Sequence, residues 1–385
     1  MKPLSGLRVV SLEQFGAAPY GTMILGALGA EVIKVENAQT GGDPARHVGP
    51  HQLGEDDSQY FQAWNLNKRS ITLDIKTTHG RRQFEALVRT AEAVVNNLRG
   101  ALPARLGIDY AALRPVNPAI VCLHISAYGR NNDRESWPGY DYLMQAEAGL
   151  MSLTGEPDGP PCRVGVSLID SMTGTMGTVG LLSCVMRARQ TGIGCDVDTA
   201  LFDVAMHQLT YTAMWYLNER EISERLPRSA HPALTPVQTF PTADGWIFIM
   251  CMTEAFWHAL CDAIGRPDLL RDPRFIDFAT RRENRSALTQ VLDAELRQHR
   301  TAFWLQRLSG ILPVAPVNDI PQALENDFVR RAGLIDSIAH PLWGTLRVLA
   351  APIKVDGVRP EQRACSILGA DNEALLGSKT DTEES

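Results

Sequence analysis

Paired cysteines, zinc signatures and nucleotide fingerprints are missing from this chain. Its seven cysteines, at positions 122, 162, 184, 195, 251, 261 and 365, include no Cys-x-x-Cys pair. An odd, scattered set argues against a disulfide framework or a zinc ribbon, and for a reducing cytoplasm. The nine histidines form no His-Glu-x-x-His or His-x-His pattern, so no metal is expected. There is no Gly-x-x-x-x-Gly-Lys-Ser/Thr run, and the first βα turn reads EQFGAAPYG instead of Gly-x-Gly-x-x-Gly. P-loop and nicotinamide chemistry are therefore unsupported. Basic excess is lacking too. With 37 Lys and Arg against 44 Asp and Glu, the net charge is −7, which gives no global field for nucleic acid or anionic lipid. The start, MKPLSGLRVVSLEQ, has no apolar leader before Glu13. The longest weakly polar stretch, Met172 to Met186, is too short to span a bilayer. The expectation is a cytoplasmic protein with no membrane or nucleic-acid partner.

What is present is globular material. Hydrophobic residues at 44% and charged residues at 21% exclude wholesale disorder. A length of 385 residues exceeds what one hydrophobic core usually holds, so two domains are expected. LRVVSL, PYGTMILGALGA and EVIKVE (7–36) read as strand, helix and strand, a βαβ crossover with Pro19 near the first helical turn. The alternation continues. SITLDI (70–75), AVVNNL (93–98), AIVCLHIS (119–126), RVGVSLID (163–170) and CDVDTAL (195–201) read as strands, with helices at 81–91 and 171–188. A doubly wound, Rossmann-like α/β domain follows.

The style changes after about residue 222. RLPRSAHPALTP reads as a linker or ordered loop. VQTFPTADGWIFIMC reads as a hairpin through Asp244-Gly245, with helices at 253–265, 281–298 and 301–310. VAPVNDI (314–320) and LRVLAAPIKV return to the first style. The expected division is therefore 1–222 and 313–385 for a discontinuous large domain, with a small α+β domain over 223–312. The tail TDTEES is acidic and expected to fray.

Several residues could carry chemistry. Asp170 closes an apolar segment and opens a Gly/Thr-rich helix, where the dipole and free N–H groups favour an ionised carboxylate. Such a carboxylate can be a covalent nucleophile toward an acyl group, but Asp is equally a favoured N-cap. Gly174, Gly177 and Gly180 lie three apart near one helix face, suited to close packing or a close ligand. Asn97, Arg99 and Arg105 follow a strand and suit a phosphate-bearing ligand, or form a solvated loop. Lys68, Arg69 and Lys76 flank another strand and read most simply as a solvated face. Glu36 ends the second strand where a ribose-binding acid would sit, or is merely a polar strand end. Tyr140 reads as a packed aromatic.

Taken together, LSGLRVVSLE, LGAEVIKVE, GGDPAR, NKRSITLDIKT, GYDYLMQAEAGLMSLTGEPDGPP and VGVSLIDSMTGTMG followed by TGIGCDVDTAL resemble the class III CoA-transferase family, also called CaiB–BaiF and formyl-CoA transferase-like. The similarity runs in order over roughly 4–215 and more weakly to about 355.

The resemblance implies CoA transfer between an acyl-CoA and a free carboxylic acid, with CoA as substrate and no further cofactor. Asp170 matches the nucleophile, acting through aspartyl anhydride and aspartyl-CoA thioester intermediates, with helix-start N–H groups stabilising the oxyanion. The matching CoA-binding positions are Gly16, Ala17, Asn37, Leu73, Asp74, Ile75, Lys76, Asn97, Leu98, Arg99, Arg105, Trp137, Pro138, Gly139 and Tyr140. The family commonly has a base where Asn37 stands, so Arg46 or Lys68 is expected to replace it. A racemase branch uses a His in a Gly-His-Asp setting. Here the run is Gly139-Tyr140-Asp141, and a phenol titrating near 10 is a poor base. An acyl-CoA racemase or epimerase is therefore the alternative, and a silent CoA-binding subunit a remoter one. The oxalate branch's glycine-rich loop is replaced by SAHPALTPVQTFPTADGW, with His231 and Arg228 as candidates to shape the acyl pocket. Family habit points to succinyl-CoA with a dicarboxylic acceptor and to an interlocked homodimer.

Overall fold

The computed structural model describes residues 2–377, so the acidic tail lies outside the described residues. The chain divides into two compact units. The first comprises 1–148, 165–209 and 328–385, and the second 149–164 and 210–327. The second unit is thus longer at both ends than the expected 223–312, and it takes in an earlier segment.

Six parallel strands form the centre of the first unit. They are β1 (Arg8–Leu12), β2 (Glu31–Glu36), β3 (Lys68–Thr72), β4 (Ala93–Asn96), β5 (Val121–Ser126) and β6 (Cys195–Ala200). Their order is β3-β2-β1-β4-β5-β6, with Val9 opposite Val32 on one side and Ala93 on the other. This is the doubly wound arrangement expected, with its switch point between β1 and β4. The inner strands are buried because helices cover both faces, and they are mostly apolar, with buried polar exceptions such as Ser11, Lys34 and His124. On one face Val10, Ile33, Ile71, Val94 and Cys122 pack with Phe84, Leu87 and Val88 of a helix at Thr78–Thr90.

On the site side lie α1 (Ala17–Ala27), α2 (Gln59–Asn65), α4 (Asp141–Glu147), α5 (Leu168–Thr191) and α6 (Leu201–His207), α3 being the helix at Thr78–Thr90. The α5 glycines serve packing. A Cβ on Gly174 would stand 2.2 Å from the Ala17 carbonyl oxygen, and one on Gly21 2.6 Å from the Gly174 oxygen. The backbones of α1 and α5 therefore cross at two glycines. Gly177 sets the helix on Leu123 and Ile125 of β5. The stretch Met172–Met186 belongs to this 24-residue helix, which is long and apolar enough by composition to cross a bilayer, although here it is a packing helix of the sheet. It ends at Gly192, whose φ of 71° is a left-handed cap.

Three expectations need correction. Residues 163–167 form no strand, and α5 begins at Leu168, so Asp170 sits inside the first turn and not at a strand end. The segment Val314–Pro316 does not return to the large sheet. It pairs antiparallel with Trp246–Met250 in the second unit, because its short apolar run completes a small sheet there. The first four residues of LRVLAAPIKV complete the strand Gly344–Leu349, which pairs antiparallel with Ile335–His340 outside the parallel sheet.

In the second unit Val237–Pro241 and Trp246–Met250 form the expected hairpin, closed by the Thr242 N–H to the Gly245 carbonyl at 2.9 Å. Phe240, Ile247, Trp257, Phe275, Leu292 and Leu308 build its own core. The helix expected over 281–298 is two helices, Phe278–Glu283 and Arg285–Leu296, meeting at Asn284. Arg228 pairs with Asp293 at 2.5 Å, and His231 Nδ1 accepts from the Ala233 and Leu234 N–H groups. Both residues are thus engaged within this unit.

Candidate active site

A cavity of about 360 Å³ lies at the carboxyl ends of β1, β4 and β5, at the switch point of the sheet. The turn after β1 contributes Gln14, Phe15, Gly16 and Ala17, and the turn after β4 contributes Asn97, Leu98 and Arg99. Pro138, Gly139 and Tyr140 close another side, and Asp170 of α5 points its carboxyl between them and Gly16. Nine sequence-named positions therefore meet: Gly16, Ala17, Asn97, Leu98, Arg99, Pro138, Gly139, Tyr140 and Asp170.

Asp170 is neither the N-cap nor a freely ionised group. Ser167 holds the cap position of α5. The Asp170 N–H instead donates to Asp141 Oδ2 at 2.9 Å, and Asp141 Oδ1 accepts from Gln145 Nε2 at 2.5 Å. Asp141 is only 3% exposed. Burial first, and the Asp141 charge second, raise the Asp170 carboxyl from 3.8 to about 7. The helix N-terminus favours the anion, but desolvation outweighs it. Asp141 was not among the expected site residues. Its sequence signal is its match to the Asp of the Gly-His-Asp setting, a match read only for the residue at 140.

Gly16 is required by contact. A Cβ there would lie 2.5 Å from Asp170 Oδ2. Gly16→Ala is therefore expected to push the carboxyl out of place and cut the turnover it supports by about 10²-fold, the scale of an ångström's misplacement. The check is kcat measured beside a melting curve, since Gly16 has φ −108° and alanine adds no backbone strain there. A kcat within a few-fold of the parent would contradict the contact.

Beneath the β1 turn lies a set of buried charges. Lys68 Nζ is 2.7 Å from Glu13 Oε1 and also donates to the Pro19 carbonyl and to Asn65 Oδ1. Arg46 grips Glu36 through Nε and Nη2 at 2.8 and 2.7 Å and lies over the Phe61 ring. Burial alone would raise Glu36, but hydrogen bonds from Arg46 and the Lys34 and Arg46 charges bring it down to about 2. This corrects three expectations. Lys68 is not on a solvated face, Glu36 is not open to a ribose, and neither Lys68 nor Arg46 is available to replace a base at position 37. Buried ions of this kind are consumed by their partners.

Other expected positions lie elsewhere. Asn37 caps a short 3₁₀ turn through its side-chain oxygen. Leu73 packs in the α3 core, and together with Asp74 it lines a separate cavity of about 290 Å³. Ile75 packs at the edge of that core, and Lys76 is exposed. Arg105 is exposed at the end of a helical turn, Leu102–Arg105. Trp137, 48% exposed, meets Tyr128 edge-on, lies under the Arg134 guanidinium and does not line the cavity. Asn97 lines it, but its amide is spent on the Gln14 backbone, accepting at 2.9 Å and donating at 2.6 Å. It joins the β1 and β4 turns. Tyr140 is 59% exposed, with its ring edge-on to Phe15 at 6.0 Å, so it is not the packed aromatic expected.

The sequence profile described as CoA-transferase family III matches residues 4–372. A succinate–glutarate CoA-transferase of Agrobacterium fabrum is 33% identical over 341 residues, covering 86% of this chain and 84% of that protein. An acetyl-CoA:oxalate CoA-transferase of Acetobacter aceti is 35% identical over 324 residues, covering 83% and 82%. The crystal structure of a CaiB/BaiF family protein from Brucella suis superposes with a TM-score of 0.83 at 32% identity, over 97% of this chain and 98% of that one.

Proposed function

The chain belongs to CoA-transferase family III, enzymes that transfer CoA between carboxylic acids, and from that premise we propose that Asp170 is the nucleophile of the transfer. The supporting observation is a half-buried, partly desolvated carboxyl, raised to about 7, walled by Gly16 at the carboxyl edge of the sheet. The ionised Asp170 attacks the thioester carbonyl of the donor. The C–S bond breaks, CoA leaves as thiolate, and an aspartyl–acyl anhydride remains. The thiolate attacks the aspartyl carbonyl, freeing the donor acid and leaving an aspartyl-CoA thioester. The acceptor carboxylate displaces CoA to form a second anhydride. The returning thiolate attacks its acyl carbonyl, giving the new acyl-CoA and regenerating Asp170. Each intermediate is activated, so water must be kept out.

The N–H of Asp170 is held by Asp141 and is no oxyanion donor. The first turn of α1 takes that role in this reading. Its N–H groups lack helical acceptors, and Gly16 and Ala17 line the cavity. The cavity takes the thioester end of CoA, with Arg99 in its lining, while Arg105 and Lys76, both exposed, face the phosphates outside it. Because the named relatives act on succinate, glutarate and oxalate, the acceptor is a dicarboxylic acid, with oxalate disfavoured by the missing glycine-rich loop. The working form is a homodimer, which would cover Met176, Val179 and Met186, exposed along α5.

The test is one incubation in D₂O with succinyl-CoA and a labelled dicarboxylic acid. Label is expected in the thioester and no deuterium at the α-carbon of recovered acyl-CoA. Hydroxylamine is expected to inactivate the enzyme only after acyl-CoA is added. Deuterium wash-in at the rate of turnover, without label transfer, would instead establish the racemase.

A further inference from the structure

EVIKVE and GGDPAR stand out in the sequence, yet none of their side chains lines the cavity. Two of them meet beneath it. Lys34 is on β2 and Asp43 in the loop that follows, and both side chains are buried. Lys34 Nζ donates at 2.8 Å to Asp43 Oδ2 and at 2.8 Å to the Glu13 carbonyl. Asp43 Oδ1 accepts from the Phe15 N–H at 3.2 Å and the Ala45 N–H at 3.0 Å. The Asp43 N–H is itself anchored on Glu36 Oε2 at 3.0 Å. One ion pair thus holds both ends of the turn after β1, by the carbonyl at its start and the N–H at its finish. Immediately after the second of those points Phe15 takes a φ of 59°, a region a bulky residue leaves unless its surroundings hold it there. The next residue is Gly16, whose Cα faces the Asp170 carboxyl.

A buried ion pair is a poor device for stability, because both charges must leave water. Its position under a strained turn gives it a geometric purpose. We propose that Lys34 and Asp43 are positioning residues for Asp170: by fixing the Glu13–Phe15 turn, the pair presses Gly16 against the carboxyl and shuts water from that side. The inference rests on Asp170 being the reacting group. The charge that bears on Asp170 is that of Asp141 from α4, which is not part of the pair, while Asp170 and Asp43 both bear on the Tyr60 phenol of α2.

Asp43→Asn keeps an oxygen for the Phe15 N–H but turns an amide N–H₂ toward Lys34, which breaks the pair. The double variant Lys34→Met/Asp43→Asn removes both charges, so no lone buried ion threatens the fold, and it carries the test if the single variant does not fold. In both, the Asp170 carboxyl is titrated by carbon-13 NMR, its signal assigned by its loss in Asp170→Asn. Values of kcat and KM for CoA transfer are measured alongside. The midpoint is expected to fall by at least about one pH unit as water reaches the carboxyl. The kcat is expected to drop by roughly 10- to 10²-fold, with a much smaller change in KM. A merely structural pair would lower the melting temperature and leave the folded protein's midpoint unmoved, and an unmoved midpoint in the double variant overturns the proposal. The titration needs no turnover. A shifted midpoint in an enzyme without transfer activity would keep the positioning role and reject the function proposed above, whereas an unshifted midpoint in an active enzyme would do the reverse.

Discussion

Asp170→Ala should lose CoA transfer by at least about 10³-fold in kcat, the scale of deleting a covalent nucleophile, while still binding CoA. Asp170→Asn should be as inactive, but it carries a second, opposite consequence. The fold raises this carboxyl from 3.8 to about 7. A group raised in this way favours the folded state while it is protonated. That contribution is complete below about pH 4, shrinks as the unfolded chain ionises, and is gone above about pH 7. The gap corresponds to as much as roughly 4 kcal/mol of differential stability. Asn is neutral at every pH. The Asn variant should therefore melt close to the parent at pH 4 and well above it at pH 8. For the parent enzyme, kcat/KM should climb with pH through about 7, since only the anion attacks. Equal melting of the two proteins at pH 8 would show that Asp170 is not desolvated as described.

The second large effect is on folding. Lys68 and Glu13 have no exposed side-chain surface and lie 2.7 Å apart. Burial pulls Lys68 down to about 8, while the Glu13 charge holds it up, so the amine keeps its proton at neutral pH. Lys68→Met takes the direct ion partner from the buried Glu13 carboxylate and leaves it the Thr22 and Ser11 hydroxyls and the more distant Lys34 charge. The expected loss is about 3–5 kcal/mol in urea unfolding. The double variant Glu13→Gln/Lys68→Met should recover most of that loss, because the unmatched charge is gone. If the double variant is no better than the single, the pair is not what makes Lys68 necessary.

Much of the architecture could be read from periodicity. The run LRVVSL to EVIKVE gave the crossover correctly, and the sheet strands that formed after it were displaced by at most three residues at either end. What failed was context. RVGVSLID alternates like a strand, yet it has no neighbouring strand to pair with, and its last three residues are the first turn of α5. VAPVNDI has the composition of a large-sheet strand, but its partner is Trp246–Met250. Local pattern does not say which sheet a strand joins. At the site, Asp170, Asn97 and Arg99 stood out from the residue pattern itself, whereas Gly16, Leu98 and the 138–140 segment came from the family resemblance, and all of them line one cavity. Asp141, and the pairing of Lys68 with Glu13, were not found. A buried charge and a solvated one are spelled with the same letters, and only the distant partner tells them apart.

The outer strand β3 has one further implication. Its free edge is not left bare. Residues 366–372 run along it, with the Ser366 N–H on the Lys68 carbonyl at 3.1 Å, the Asp371 N–H on the Ser70 carbonyl at 3.0 Å, and Asn372 Oδ1 accepting from the Thr72 N–H. Uncovered edges invite pairing with other chains. The strand and its cover are separated by about 290 residues of chain, so on a ribosome adding roughly 5–20 residues per second the edge stands open for roughly 15–60 s before its cover emerges. For that interval every nascent chain carries an exposed strand edge. The period of vulnerability to misassembly is thus written into the order of synthesis, and it closes only once residues 366–372 have been made.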